Sequence, residues 1–232
     1  MLVDMIALGL AEDIDNDVVK QIEQFISYDK RKKVAKFKFK KDRLRSIFGE
    51  IMMRIIVCGM THVTNNDIFY TYNEYGKPLL TNPTGLFYNI SHSGDWVICA
   101  VDDSPIGVDV EAMEPIDMDI AKRFFSNDEY RFLMEISEEK RLTYFYKIWT
   151  LKESYIKAEG MGMSLALDSF SILPYENEIQ FKNCFGDRID FFSGFLDEKT
   201  AFGVCTQRSK QIKIVYITLD ELIEKSFACL MP

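Results

Sequence analysis

The opening residues, Met1–Leu10, alternate in the manner of a strand and run at once into acids. Residues 15–26 have the pattern of a short helix. From 41 to 60 apolar side chains fall at 44, 47, 48, 51, 52, 55 and 56, a stripe with the 3.6-residue period of a long helix. Tyr75-Gly-Lys-Pro78 and Asn82-Pro-Thr-Gly85 punctuate the chain as turns. Short strands are predicted near 87–91 and 95–102, joined at His92-Ser-Gly94. Ser104-Pro105 turns the chain into a further strand at 106–111. Residues 116–136 and 139–159 read as helices, the second ended by Gly160 and Gly162. The stretch 168–219 alternates in strand fashion, broken by Pro, Asn and Gly.

An internal echo organises these elements. Phe25-Ile-Ser-Tyr-Asp-Lys30 is answered by Phe124-Phe-Ser-Asn-Asp-Glu129, and in both a Ser opens a polar helical stretch as an N-cap would. Ser126 to Glu129 has the full capping-box pattern. Glu50 and Arg54 recur as Glu153 and Lys157 at similar depth in the long helix of each half. The expectation is two similar α+β halves in one chain, divided as 1–104 and 105–232, sharing one interface.

Composition narrows the class. Hydrophobic residues make up 47% of the chain, with 18 Phe and 11 Tyr, enough for a substantial core. No apolar run approaches the roughly 18 residues of a membrane helix. The N-terminus lacks the basic flank and small-residue cleavage pattern of a secretory signal. Cys58, Cys99, Cys184, Cys205 and Cys229 are dispersed without a CxxC pair, which suits buried thiols in a reducing cytoplasm. With only His62 and His92 present, a His-rich zinc site is not expected. The formal net charge is −8, yet the run KRKKVAKFKFKKDRLR at 30–45 is almost wholly basic. A concentrated positive patch on an acidic protein suggests a local anionic ligand, the alternative being a solvated helical face. The acidic balance elsewhere, and the lack of a recognised motif, argue against nucleic-acid binding.

Three segments could carry chemistry. In Gly107-Val-Asp109-Val-Glu111 the two carboxylates share one face of a strand while Val108 and Val110 point into the core. Such a pair repels itself unless a cation lies between, and oxygen ligands suit Mg²⁺; a polar strand end facing water is the alternative. In Trp149-Thr-Leu-Lys152-Glu153-Ser-Tyr-Ile-Lys157, helical spacing lines up Trp149, Glu153 and Lys157. The pair could be a surface salt bridge, but the apolar flanks place it in a cleft. Asn89-Ile-Ser91-His92-Ser93-Gly94 offers hydroxyls, backbone N–H groups and an imidazole that could cradle phosphate, or simply form a tight hairpin. No Walker A or Rossmann glycine pattern occurs.

Taken in order, Phe87–Gly94, Gly107–Glu111, Phe124-Phe-Ser126 and Trp149–Lys157 resemble the signature of the 4′-phosphopantetheinyl transferases of the surfactin-synthetase-activating (Sfp) type. The likeness extends to Phe25–Lys33, Glu74–Pro78 and Gly160–Phe170. It implies a monomeric pseudo-dimer of two α+β halves with coenzyme A and Mg²⁺ in the cleft between them. It further implies transfer of phosphopantetheine from coenzyme A to a serine of an apo acyl, peptidyl or aryl carrier protein, with release of 3′,5′-ADP. On this resemblance Asp109, Glu111 and Glu153 bind the metal, Glu153 is also the general base, and Lys157 contacts the pyrophosphate. Lys30, Lys33, Arg45, Ser46, Lys77, Ser91 and His92 fall where the family holds the phosphates and adenosine of coenzyme A. A non-catalytic coenzyme A or nucleotide-binding module is the rival reading, opposed by the intact acids and Lys157.

Overall fold

The computed structural model describes residues 2–10, 14–176, 178–182, 189–207 and 211–231; Cys184 lies outside them. The chain begins with strand β1 (Leu2–Gly9) and helices α1 (Asn16–Ile22), α2 (Tyr28–Val34) and α3 (Lys40–Met60). Strands β2 (Phe69–Tyr72), β3 (Pro78–Asn82), β4 (Phe87–Ser93), β5 (Trp96–Asp102) and β6 (Ile106–Ala112) follow. Then come α4 (Asp119–Phe124), α5 (Asn127–Glu135) and α6 (Glu138–Glu159). Strands β7 (Ser171–Pro174), β8 (Ile179–Lys182), β9 (Asp190–Asp197), β10 (Thr200–Thr206) and β11 (Gln211–Ile217) lead to α7 (Leu219–Leu230). No helix among the described residues is long and apolar enough to cross a membrane.

Two sheets form the centre. One has the order β11-β1-β5-β4 and the other β6-β10-β9. Strands β1 and β5 are apolar on both faces because both faces are covered. Ile6, Leu8, Val97, Cys99 and Val101 pack against Ile47, Phe48, Ile51 and Met52 of α3. Met5, Ala7, Ile98 and Ala100 meet Val108 and Val110 of β6 and Phe202 and Val204 of β10 from the second sheet. The expected 3.6-residue stripe of α3 is therefore its core face. Helix α6 covers the outer side of the second sheet as α3 covers the first, which gives the two-half α+β arrangement its physical form.

The echoed caps are both present. The Ser27 side chain accepts from Lys30 N at 3.2 Å and the Ser126 side chain from Glu129 N at 3.3 Å. Ser126 splits the helix expected over 116–136 into α4 and α5, since an N-cap ends one helix as it starts the next. The halves diverge in one respect. The amide N–H of Ser27 donates to Glu50 Oε1 at 2.8 Å, and Glu50 forms a fully buried ion pair with Arg54 at 2.9 Å. In the second half Glu129 closes its own capping box, and Glu153 and Lys157 form no ion pair among the described residues, Lys157 pairing with Asp109 instead.

One connection was not anticipated. β11 pairs in parallel with β1, Leu2 opposite Gln211 through Leu8 opposite Ile217, and α7 packs beside α3. The stretch 105–232 thus supplies the outermost strand and a helix of the first half's layer. Thr218 and Glu221 form a capping box at the start of α7, and Leu222 and Leu230 bury its inner face.

Candidate active site

Gly107 sets the geometry. A Cβ built there would stand 1.9 Å from the Ser154 carbonyl oxygen and 2.5 Å from Ala158 N, so only glycine lets β6 lie directly against α6. Gly203 does the same on β10, where a Cβ would come within 2.6 Å of the Thr150 carbonyl. This contact brings the outward residues of β6 beside those of α6. Asp109, Glu111, Glu153 and Lys157 line one pocket of about 320 Å³ with Ser91, His92 and Trp149. Val108 and Val110 are buried in the inter-sheet core, as the strand alternation predicts.

Asp109 is 3% exposed. Its Oδ1 accepts from Lys157 Nζ at 2.6 Å and from Ser91 Oγ at 2.9 Å, whereas Oδ2 is buried without a hydrogen-bond partner. Burial pushes its carboxyl up, against the pull of Lys157 and Ser91. Glu111 is half-buried and accepts from Ser93 Oγ at 2.9 Å. Burial and repulsion from Asp109 raise its carboxyl, and the same two causes raise that of Glu153. Three carboxylates share a pocket in which each is costly to ionise; Lys157 and the hydrogen bonds from Ser91 and Ser93 offset part of that cost. Among the described residues no three His, Cys, Asp or Glu groups are drawn into a metal cage. The unpaired Oδ2 of Asp109, on a residue that shares its pocket with two further carboxylates, nevertheless fits the chemistry of a hard cation with oxygen ligands.

The wall of the pocket is aromatic. Trp149 stacks on Phe145 at 5.7 Å and meets Phe124 edge-on at 6.0 Å. Next to it, Trp149, Glu153 and Lys157 also border an apolar groove of about 740 Å³ that runs past Phe124, Leu165 and Pro78. His92 and Ile90 also line a pocket of about 320 Å³ with Lys30, Lys33 and Ser46 on its walls. The basic, acidic and apolar cavities adjoin one another: Ile90 and His92 are common to the first two, Glu153 and Lys157 to the last two, and Pro78 and Asn89 to the basic and apolar ones. Partial burial and the nearby Arg45 and Lys157 hold the His92 imidazole below its ordinary value. Burial lowers Lys30, opposed by Glu50.

Three expected ligand contacts are otherwise engaged. Lys77 Nζ donates to the carbonyls of Lys157 at 2.5 Å, Ala158 at 2.8 Å and Ile106 at 3.4 Å. An ammonium has three hydrogens, so this one is spent on the C-terminal end of α6, where the helix dipole is negative. Arg45 hydrogen-bonds the Gly94 carbonyl and Asp42, bracing the β4–β5 turn. Ser91 lines the acid pocket, but its one hydrogen is on Asp109 and its oxygen accepts from Lys157 Nζ at 3.0 Å and Val110 N at 3.3 Å. Two roles escaped sequence reasoning: Gly107 as spacer, and Ser93 as donor to Glu111. The period-two run Asn89, Ser91, Ser93 was the available signal for the latter.

Comparison with known proteins converges on the same reading. Residues 15–104 match a family model described as "4'-phosphopantetheinyl transferase, N-terminal", and residues 105–214 match the "4'-phosphopantetheinyl transferase superfamily". The 4'-phosphopantetheinyl transferase Sfp of Bacillus subtilis (strain 168) is 45% identical over 64% of this chain and 66% of its own. The 4'-phosphopantetheinyl transferase ffp of Bacillus subtilis is 41% identical over 71% of this chain and 73% of its own. The gsp transferase of Aneurinibacillus migulanus is 34% identical, over 74% and 71% respectively. The chain thus spans about two thirds to three quarters of these relatives.

Proposed function

The chain belongs to the 4′-phosphopantetheinyl transferase superfamily, and from that premise we propose that it moves the 4′-phosphopantetheine group of coenzyme A onto a serine of an apo carrier protein, in the pocket lined by β4 on one side and by β6 and α6 on the other. The observation that carries the reading is the Asp109 carboxylate. It is buried, has one oxygen without a partner, and shares its pocket with Glu111 and Glu153.

The three adjoining cavities offer each part of coenzyme A a place. Lys30, Lys33, Ser46 and His92 are suited to the 3′-phosphate and adenosine end, where clustered positive charge offsets phosphate. The acid pocket takes the pyrophosphate, and the apolar groove past Trp149 takes the pantetheine arm. Asp109, Glu111 and Glu153 would hold Mg²⁺. Bound there, the ion supplies positive charge that lets carboxylates and phosphate oxygens lie together.

The remaining work falls to side chains. The carrier serine oxygen forms a bond to the phosphorus next to the pantetheine arm, and the bond from that phosphorus to the leaving 3′,5′-ADP breaks. Glu153 takes the serine proton; its raised carboxyl brings it closer to neutrality than an exposed glutamate. Lys157 uses two hydrogens on Asp109 and Ser91, leaving a third for a phosphate oxygen as charge builds on the departing group. Carriers of the acyl, peptidyl or aryl kind, from fatty acid, polyketide or peptide synthesis, provide the serine. Both sides of the cleft come from one chain, in keeping with a monomer. The free thiols Cys58, Cys99, Cys205 and Cys229 suit the cytoplasm.

The test is an intact-mass measurement of an apo carrier incubated with the protein, coenzyme A and Mg²⁺. The carrier should gain the mass of one phosphopantetheine arm, and chelating the metal should abolish the gain. Tight binding of coenzyme A with no change in carrier mass would instead make the chain a binding module.

A further inference from the structure

Strands β4 and β6 lie side by side without sharing a backbone ladder; they belong to different sheets. What joins them is a set of side chains. Asn89 Oδ1 accepts from Val108 N at 2.8 Å, Ser91 Oγ from Val110 N at 3.3 Å, and Ser93 Oγ from Ala112 N at 3.0 Å. The pairing advances by two on each strand, so the strands run in the same direction, and the N–H groups of Val108, Val110 and Ala112 on that edge of β6 each find a side-chain acceptor.

The two serines do more than replace a ladder. A hydroxyl has one hydrogen, and accepting from the strand fixes where that hydrogen can point. Ser91 gives it to Asp109 Oδ1 and Ser93 gives it to Glu111 Oε2, both at 2.9 Å. Each serine thus grips an amide of β6 and the carboxylate one residue before it. Asp109 is also held by Lys157, but Ser93 is the one side chain hydrogen-bonded to Glu111 among the described residues. Ser93 does not line the acid pocket.

We propose that Ser93 is the positioning residue for Glu111: by bridging Ala112 N and the Glu111 carboxylate across the seam between the halves, it aims that carboxylate at the cation. The inference rests on the metal reading given above. A hydrogen-bonded partner of a metal ligand typically contributes about 10–100-fold in affinity. Glu111 has a single such partner, so its loss should be felt directly.

The experiment titrates Mn²⁺ into the protein with coenzyme A present and no carrier, reading free Mn²⁺ by electron paramagnetic resonance, with thermal melting as a separate readout. Ser93→Ala should weaken Mn²⁺ at least about tenfold, beyond any change in melting temperature. Ser93→Thr, which keeps the hydroxyl, should restore wild-type affinity. If Ser93→Ala does not fold, Ser93→Cys carries the test, since a thiol keeps the volume and weakens both hydrogen bonds. Wild-type affinity in the hydroxyl-free variant overturns the role of Ser93 and leaves the metal reading standing. Failure of the unaltered protein to bind Mn²⁺ overturns the metal reading, and this inference with it.

Discussion

Lys152 lies in the same helix turn as Glu153 but faces the other way, into the protein, and its replacement tests how α6 is anchored. Lys152 and Glu129 are each 0% exposed. Lys152 Nζ donates to both Glu129 oxygens, at 2.7 and 2.8 Å, and to the Phe170 carbonyl at 2.7 Å. Glu129 accepts in addition from Ser126 N at 2.8 Å and Ile172 N at 2.7 Å, so one ion pair ties α6 to α5 and β7. Lys152→Met preserves most of the volume and strands a buried carboxylate. Removing one partner of such a pair costs about 3–5 kcal/mol, a large part of the roughly 5–15 kcal/mol that a domain has. Adding Glu129→Gln removes the stranded charge, leaving a cost nearer the ~1–3 kcal/mol of an unmet hydrogen bond. Urea unfolding followed by tryptophan fluorescence and far-ultraviolet circular dichroism reads both. The double variant should be more stable than Lys152→Met alone by about 2 kcal/mol, the difference between those two costs. The reasoning fails if Lys152→Met stays within about 1 kcal/mol of wild type, or if the second change brings no recovery.

Further outcomes follow from the same geometry. Gly107→Ala forces a methyl into the Ser154 carbonyl; overpacking of this kind costs about 1–3 kcal/mol or more, and it should lower transfer to the carrier because β6 must back away from α6. A normal urea midpoint with full activity would refute the close-contact argument. Glu153→Gln should leave the urea midpoint unchanged and slow carrier modification by at least about a hundredfold; full activity would show that another group takes the proton. Burial lowers Lys77 to about 8 from 10.5. Between those values the unfolded chain binds the proton and the folded one does not, so stability attributable to Lys77 should rise with pH. Melting temperatures of wild type and Lys77→Met across that window should diverge in favour of wild type; parallel curves would contradict the shift.

Much of the site was legible because strand and helix periods dictate which side chains share a face. The spacing of Asp109 and Glu111, and that of Trp149, Glu153 and Lys157, put each set on one side of its element, and the fold needed only to bring the two elements together. The caps at Ser27 and Ser126 were readable for the same local reason. Less could be read where the answer depends on a distant partner. Lys77 and Arg45 sit in segments that the family resemblance places at the ligand, but long cationic side chains reach several acceptors, and backbone carbonyls took these two. The role of Gly107 is set by a helix that follows it well downstream in the chain. The pairing of β11 with β1 left no local trace: β1 is apolar on both faces because α3 and the second sheet cover them, and that pattern does not name the strand along its edge.

That pairing governs the order in which the molecule can be completed during synthesis. β1 leaves the ribosome long before one of its two neighbours, β11, which follows all the other described strands. A nascent chain that has emerged only as far as β10 carries an open strand edge on its first sheet, and the flank of α3 awaits α7. Such an edge invites pairing with other chains. The residues that line the basic pocket, from Lys30 to His92, have all emerged by then, but the layer that carries them is closed only when β11 and α7 arrive.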